Sequence, residues 1–285
     1  MDLCSEKEIK SLLDRHGFRF SRSKGQNFLV DGRVPEEIVR RSGIGEDCGV
    51  LEIGPGIGAL TVCLSQAAGR VLAVELDRAL LPLLSETLSG CGNVEVLSGD
   101  VLKLDLPELV RSRFAGFRPM VCANLPYNIT SPVLTALLES ECFQAVTVMV
   151  QREVALRLTA RPGTSEYGAF TLFLQYYAVP ELLFDVPPES FLPRPRVTSS
   201  VIRLRILDSP PASVPDKAFF FRVVRGAFAQ RRKTLVNALS AALGIPDKDV
   251  LVRVLSSCGL SPDIRGERLS FEEFALLSRS LKEAL

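Results

Sequence analysis

Val50-Leu51-Glu52-Ile53-Gly54-Pro55-Gly56-Ile57-Gly58 reads as a short apolar strand running into a glycine-rich turn, with Ala59-Leu60-Thr61-Val62-Cys63-Leu64 continuing as a buried helix. Three glycines at alternate positions strip side chains from one side of the turn. The backbone and the following helix N-terminus can then approach a bound group closely. Such turns serve dinucleotide enzymes and S-adenosylmethionine enzymes alike, so the stretch points to a nucleotide-like ligand without choosing between them.

Outward from this stretch, apolar segments alternate with helical ones, the pattern that builds a parallel sheet. Candidate strands are Gly49–Ile53, Arg70–Leu76, Val94–Ser98, Met120–Ala123, Ala145–Val150, Leu182–Asp185 and Ser199–Ile206; Leu80–Leu88 and Ser131–Leu138 carry helical spacing. The last strands stand too close together for a crossover helix, which predicts an antiparallel hairpin at the sheet edge. The proline-rich run Asp208–Asp216 is the best break in the chain. Beyond it Phe219–Phe228, Lys233–Leu243, Lys248–Cys258 and Ser270–Ala284 read as helices with no strand between them. The expected architecture is α/β: a seven-stranded Rossmann-like domain over residues 1–207, then a small all-α domain over 208–285. Upstream, Glu6–His16 and Pro35–Arg41 read as helices. Between them, Arg19–Asp31 is a polar, basic arm that reads equally as a loop closing over a ligand or as a solvated loop whose Phe28 and Leu29 plug the core.

The 285 residues are 47% hydrophobic and 24% charged, enough for a large core and a smaller unit. No apolar run approaches membrane-spanning length and the N-terminus is too charged for a signal peptide, so a cytoplasmic location is expected. The 7 cysteines include no Cys-x-x-Cys pair, and the single histidine, His16, cannot build an imidazole zinc site, so no metal is expected. A net charge of +1 gives no global attraction for nucleic acid. Positive charge clusters locally instead. Arg222, Arg225, Arg231, Arg232 and Lys233 fall in a segment without an acid between Phe219 and Ala241, and with Arg152, Arg194 and Arg196 they read as phosphate contacts. A solvated basic face is the plainer alternative.

Glu75 lies 21 positions after Gly54, at a strand end where a carboxylate can accept both hydroxyls of a ribose. Asp100, at the end of the next strand, suits an exocyclic amine such as that of adenine; capping a helix is the alternative for Asp100 and for Asp77, and a solvated loop the alternative for Glu75. The fourth strand ends Asn124-Leu125-Pro126-Tyr127-Asn128, a buried amide, proline and aromatic that cost stability unless they serve a ligand. The exocyclic amine of adenine is a poor nucleophile, because its lone pair is delocalised into the ring. Acceptors from the Asn124 side chain and a carbonyl at Leu125 or Pro126 favour a more pyramidal nitrogen, and Tyr127 offers a face on which the base stacks.

On these motifs the sequence resembles the KsgA/RsmA family of ribosomal RNA small-subunit adenine N6,N6-dimethyltransferases along nearly its whole length. The resemblance is carried by Gly25-Gln26-Asn27-Phe28-Leu29, the glycine turn, Glu75-Leu76-Asp77, Gly99-Asp100-Val101 and Asn124 to Pro132. Gln151-Arg152-Glu153, Phe191-Leu192-Pro193-Arg194-Pro195-Arg196-Val197, Phe228 to Leu235 and Arg265 to Ser270 extend it. Lys24 departs from the family, which more often has an apolar or aromatic residue there. The resemblance implies a class I methyltransferase domain using S-adenosyl-L-methionine. Asn27 and Leu29 would cap its methionine end above Gly54, Gly56 and Gly58; Glu75 would hold the ribose and Asp100 the adenine amine, with Leu76, Val101 and Asn124 also among the cofactor contacts. Asn124 would serve the reaction centre, with Phe191 stacking on the target adenine opposite Tyr127. Read from its residues alone, Phe191 is instead a hydrophobic plug before a polyproline-like turn. The implied substrate is a pair of adjacent adenosines in the hairpin loop near the 3′ end of 16S rRNA, within a pre-30S particle, and the implied enzyme is a monomer.

Three rivals share features with this reading: a large-subunit rRNA methyltransferase of the macrolide-resistance type, a non-catalytic RNA-binding or transcription factor on the same fold, and a nicotinamide dehydrogenase. The cofactor separates the last of these. S-adenosylmethionine should raise the melting temperature of the protein and NAD should leave it unchanged; thermal shift with NAD alone would return the glycine turn to a dehydrogenase.

Overall fold

Ile9, Leu12 and Leu13 recur at helical spacing and are buried, so the first helix, α1 (Glu6–Arg15), turns one face inward. The computed structural model describes residues 1–20 and 25–285, so residues 21–24 of the expected arm, Lys24 among them, lie outside the described residues. The chain continues through strand β1 (Phe28–Leu29), α2 (Arg33–Ser42), β2 (Cys48–Ile53), α3 (Ala59–Ala67), β3 (Arg70–Glu75), α4 (Leu81–Thr87) and β4 (Val94–Ser98). It goes on through α5 (Leu106–Arg113), β5 (Arg118–Asn124), α6 (Thr130–Glu139), β6 (Ala145–Gln151), α7 (Arg152–Leu158), α8 (Ala169–Tyr177), β7 (Ala178–Val186), β8 (Phe191–Leu192) and β9 (Ser199–Ile206). The rest is helical: α9 (Lys217–Ala229), α10 (Leu235–Leu243), α11 (Lys248–Ser257) and α12 (Phe271–Ala284).

Seven strands form one mixed sheet in the order β4-β3-β2-β5-β6-β9-β7. Every residue of β2 is buried, as a strand covered on both faces requires. β2 pairs in parallel with β3 on one side and β5 on the other, so the strand order reverses beside it. In such sheets ligands lie beyond the carboxyl ends of the strands at the reversal. β9 runs antiparallel to β6, with Ala145 opposite Arg205 and Gln151 opposite Ser199, which places the expected antiparallel strand inside the sheet with β7 at its edge. A separate two-stranded ladder pairs Phe28 with Leu192 and Leu29 with Phe191.

The seven expected strands are all present, to within a few residues at their ends. The unanticipated elements are the short β1 and β8 together with α5, α7 and α8. α8 is almost uniformly apolar and aromatic, so it has no one-sided stripe for periodicity to detect.

The chain divides into two compact units, residues 1–155 with 181–206, and residues 156–180 with 207–285. A single cut at 207/208 would leave Leu156–Pro180 with the sheet, whereas this segment clusters with the C-terminal helices. The physical reason is the aromatic side of α8: Phe173 and Tyr176 stand 5.5 and 5.2 Å from the Phe221 ring, and Tyr167 donates its hydroxyl to the Leu269 carbonyl. Phe220, Leu235, Leu239, Leu251 and Phe274 fill the core of that unit. Among the described residues no helix is long and apolar enough to cross a membrane.

Gly69 fixes how α3 returns into β3. A Cβ there would lie 2.2 Å from the Glu46 carbonyl oxygen and 2.3 Å from the Phe117 ring, and a backbone carbonyl cannot swing aside. Gly69→Ala should cost about 1–3 kcal/mol of stability by overpacking, read as a lower midpoint in urea. A midpoint equal to that of the unsubstituted protein would refute the contact.

Candidate active site

The carboxyl ends of β2, β3, β4 and β5 open into one cleft of about 1170 Å³, measured out to its solvent mouth. The glycine turn forms its floor. Gly54 and Gly56 hold φ of 70° and 63°, in the left-handed region, and a Cβ on Gly56 would press to 3.1 Å from the Phe28 ring. That ring is braced in turn by Phe18 and Phe20, at centroid distances of 6.1 and 5.1 Å.

Glu75, at the end of β3, is 5% exposed. Its Oε1 accepts the Asp77 N–H at 2.7 Å and its Oε2 the Gly56 N–H at 3.4 Å. Burial pushes its acid above the usual carboxylate range, and these two N–H groups pull it back. Asp77 accepts from Gln26 Nε2 at 2.7 Å, which ties the arm to the cleft, and from the Ala79 N–H. Asp100 caps the short turn after β4 by accepting the Leu102 N–H at 3.1 Å, while it still lines the cleft. The capping reading and the ligand reading of Asp100 thus coexist on one carboxylate. Leu76, 60% exposed, and Val101 give the same rim an apolar face.

Asn124 closes β5 and donates its Nδ2 to the Asn27 carbonyl at 3.1 Å. The amide nitrogen is thereby committed to the arm, and Oδ1 is left as the acceptor. Of the two expected backbone acceptors, the Pro126 carbonyl already takes the Ile129 N–H at 3.1 Å and the Thr130 hydroxyl at 3.4 Å. The Leu125 carbonyl is therefore the better candidate. Tyr127 lines the cleft, and its hydroxyl lies 2.7 Å from Ser199 Oγ.

The structure thus brings Asn27, Leu29, Gly54, Gly56, Glu75, Leu76, Asp100, Val101, Asn124, Leu125, Pro126 and Tyr127 to one cleft. Two expected residues are elsewhere. Gly58 caps α3 at φ 94°, facing Leu88 and Thr87, so it is a packing glycine. Phe191 is 1% exposed in the core with Val186 and Val201, because the β1–β8 ladder turns its ring inward. The plug reading of Phe191 describes its position and the base-stacking reading does not.

Among the basic residues, Arg152 pairs with Asp185 at 3.0 Å, and Arg194 and Arg196 are exposed in the same unit. In the helical unit Arg222 and Arg225 share an exposed face of α9, and Arg232 and Lys233 are exposed beyond its end. Arg231 is engaged within its own unit, by Glu267 at 2.6 Å and the Thr164 carbonyl at 3.0 Å.

Residues that sequence reasoning passed over are Gln26, Ser199 and Glu52. Only Glu52 carried a signal, as an acid inside an otherwise apolar strand. It lines the cleft yet is 1% exposed, and its Oε2 has no hydrogen-bond partner among the described residues. Burial pushes its acid up to about 8; the neighbouring Thr61 hydroxyl opposes the rise and the Glu75 carboxylate adds to it.

The cleft has the parts that S-adenosylmethionine requires. Glycines open the floor, a buried carboxylate meets the ribose position, and an apolar rim with Asp100 suits adenine. Comparison with known proteins agrees. Residues 17–259 match the family model described as Ribosomal RNA adenine dimethylase. Proteins called Ribosomal RNA small subunit methyltransferase A from Alkaliphilus oremlandii and Bacillus cereus are 44% and 48% identical to this chain over 284 residues, covering 99% and 98% of it and 99% and 97% of themselves. Among solved structures, a dimethyladenosine transferase from Plasmodium falciparum superposes with TM-score 0.76 at 24% identity, covering 90% of this chain and 98% of its own, which supports the fold. The 23S rRNA methyltransferase ErmE superposes with TM-score 0.67 at 25% identity, covering 90% and 99%.

Glu52 predicts a pH dependence. Its folded-state pKa is raised, so the stability it contributes is present at low pH and is lost as pH rises from about 4.5 towards 8. Glu52→Gln should flatten the fall in melting temperature between pH 5 and pH 8 and melt above the unsubstituted protein at pH 8. An unchanged slope would show that the carboxyl is ionised in the fold.

Proposed function

The chain belongs to the ribosomal RNA adenine dimethylase family, and from that premise we propose that it dimethylates the N6 amines of two adjacent adenosines in the hairpin loop near the 3′ end of small-subunit rRNA, acting as a cytoplasmic monomer on an assembling particle. The observation that carries the reading is Asn124. Its amide is tethered to Asn27 in the same cleft as the buried Glu75, so a group suited to the target amine and a group suited to a ribose line one site.

When bound, S-adenosylmethionine supplies a methyl group already activated on a sulfonium. Glu75 and Leu76 would hold the ribose, Asp100 and Val101 the adenine, and Asn27 and Leu29 the methionine end. Asn124 Oδ1 and the Leu125 carbonyl accept the two N–H groups of the unmethylated amine, and one of them accepts the single N–H that remains for the second transfer, which orients the lone pair out of the ring plane. Tyr127 presents the face on which the extruded base stacks. The proton is released to solvent after attack, so no side chain need act as general base and alignment supplies much of the catalysis. Dimethylation requires the cleft to readmit the monomethylated amine.

The small-subunit target is favoured over the large-subunit rival because identity is 44–48% to the small-subunit enzymes over nearly the whole chain, against 25% to the 23S enzyme. Phosphate contact falls to Arg194 and Arg196 in the sheet unit, and to Arg222, Arg225, Arg232 and Lys233 in the helical unit; Arg152 and Arg231 already hold carboxylates.

Transfer of labelled methyl from S-adenosylmethionine to small subunits lacking adenosine dimethylation tests the assignment. Label should appear only there and be recovered as dimethyladenosine, with none on large subunits or fully modified small subunits. Asn124→Ala should abolish transfer while leaving the melting temperature within a few degrees. Label on large subunits would promote the resistance-type reading, and activity retained by Asn124→Ala would sink the mechanism.

A further inference from the structure

Tyr127 opens a three-residue turn just past β5, and a turn that short does not by itself fix the angle of an aromatic ring. A partner does. The Tyr127 hydroxyl lies 2.7 Å from the Oγ of Ser199, which is 0% exposed, opens β9 and pairs with Gln151 of β6. The strand start is itself pinned. Ser200, pointing to the opposite face of the sheet, donates to Asp185 Oδ1 at 2.6 Å. Asp185 Oδ2 takes Arg152 Nε at 3.0 Å, and the Arg152 N–H closes the loop on the Thr198 carbonyl at 3.0 Å.

We propose that Ser199 is a positioning residue for methyl transfer, holding the Tyr127 ring by its hydroxyl at the angle where the ring can carry the target adenine. The proposal rests on the reading of Tyr127 as the base platform. Ser199 is not among the residues lining the cleft, so it acts through Tyr127 and does not touch a ligand. The antiparallel strand β9 thereby serves the site although none of its own residues lines it. Burial raises the Tyr127 phenol above its ordinary range, with the Ser199 hydrogen bond opposing that rise, so the phenol stays neutral at physiological pH and either hydroxyl can be the donor in this contact.

The test uses the full-length protein, labelled S-adenosylmethionine and unmodified small subunits. Ser199→Ala should lower kcat about tenfold, the scale of one lost buried hydrogen bond, with KM for subunits, cofactor Kd and melting temperature little changed. Tyr127→Phe removes the same bond from the cleft side without opening a cavity under β9, and should lower kcat by a similar factor. The double variant should be no slower than either single one, because both remove one interaction. Ser199→Thr, which keeps the hydroxyl, should recover activity. Wild-type kcat in Ser199→Ala or in Tyr127→Phe, or losses that multiply in the double variant, would overturn the proposal while the parent enzyme still methylates small subunits. An unsubstituted enzyme that transfers no methyl to them would instead overturn the functional reading and this proposal with it.

Discussion

The Glu75 carboxylate accepts N–H groups from Asp77 and from Gly56, and the backbone carbonyl of the same residue accepts the Gly99 N–H. One buried residue therefore joins three of the loops that shape the cleft: the glycine turn, the end of β3 and the approach to Asp100. A carboxylate with only 5% exposure is costly without partners, and here backbone donors supply them. Site and fold share one set of hydrogen bonds.

From Asp77 the same network reaches the arm through Gln26, and from the arm it reaches Asn124 through the Asn27 carbonyl. The amide of Asn124 is informative because its two ends have opposite chemistry. With nitrogen donating to the arm, oxygen is left as the acceptor. Orientation of the Asn124 amide is thus set by a segment almost a hundred residues earlier in the chain, and the aromatic trio Phe18, Phe20 and Phe28 gives that segment its footing against Gly56.

Much of this was legible in the residues. The alternation of apolar strands with helical stretches yields the seven strands, since buried parallel strands must be continuously apolar, and the glycine turn marks the strand-order reversal. α8 was illegible for the converse reason: a helix that is almost uniformly apolar and aromatic has no period to read. Phe191 shows the limit of motif reasoning. A motif identifies a residue without stating whether its ring faces ligand or core, and the two-stranded ladder with Phe28 and Leu29 turns it inward. Gly58 belongs to the same class, since a third glycine in the turn is needed for the close approach of Leu88 and Thr87.

By itself the sequence determined the α/β class, the position of the cleft at the carboxyl ends of the strands, and the chemical types gathered there, because these follow from local periodicity and from residues that are expensive to place without a ligand. The tertiary structure alone decided which of those residues share the cleft, and it assigned Leu156–Pro180 to the helical unit. It alone set the direction of the Asn124 amide and joined Tyr127 to Ser199. Those outcomes depend on contacts between segments far apart in the chain, and no local pattern specifies which distant hydroxyl, carbonyl or ring will be the partner.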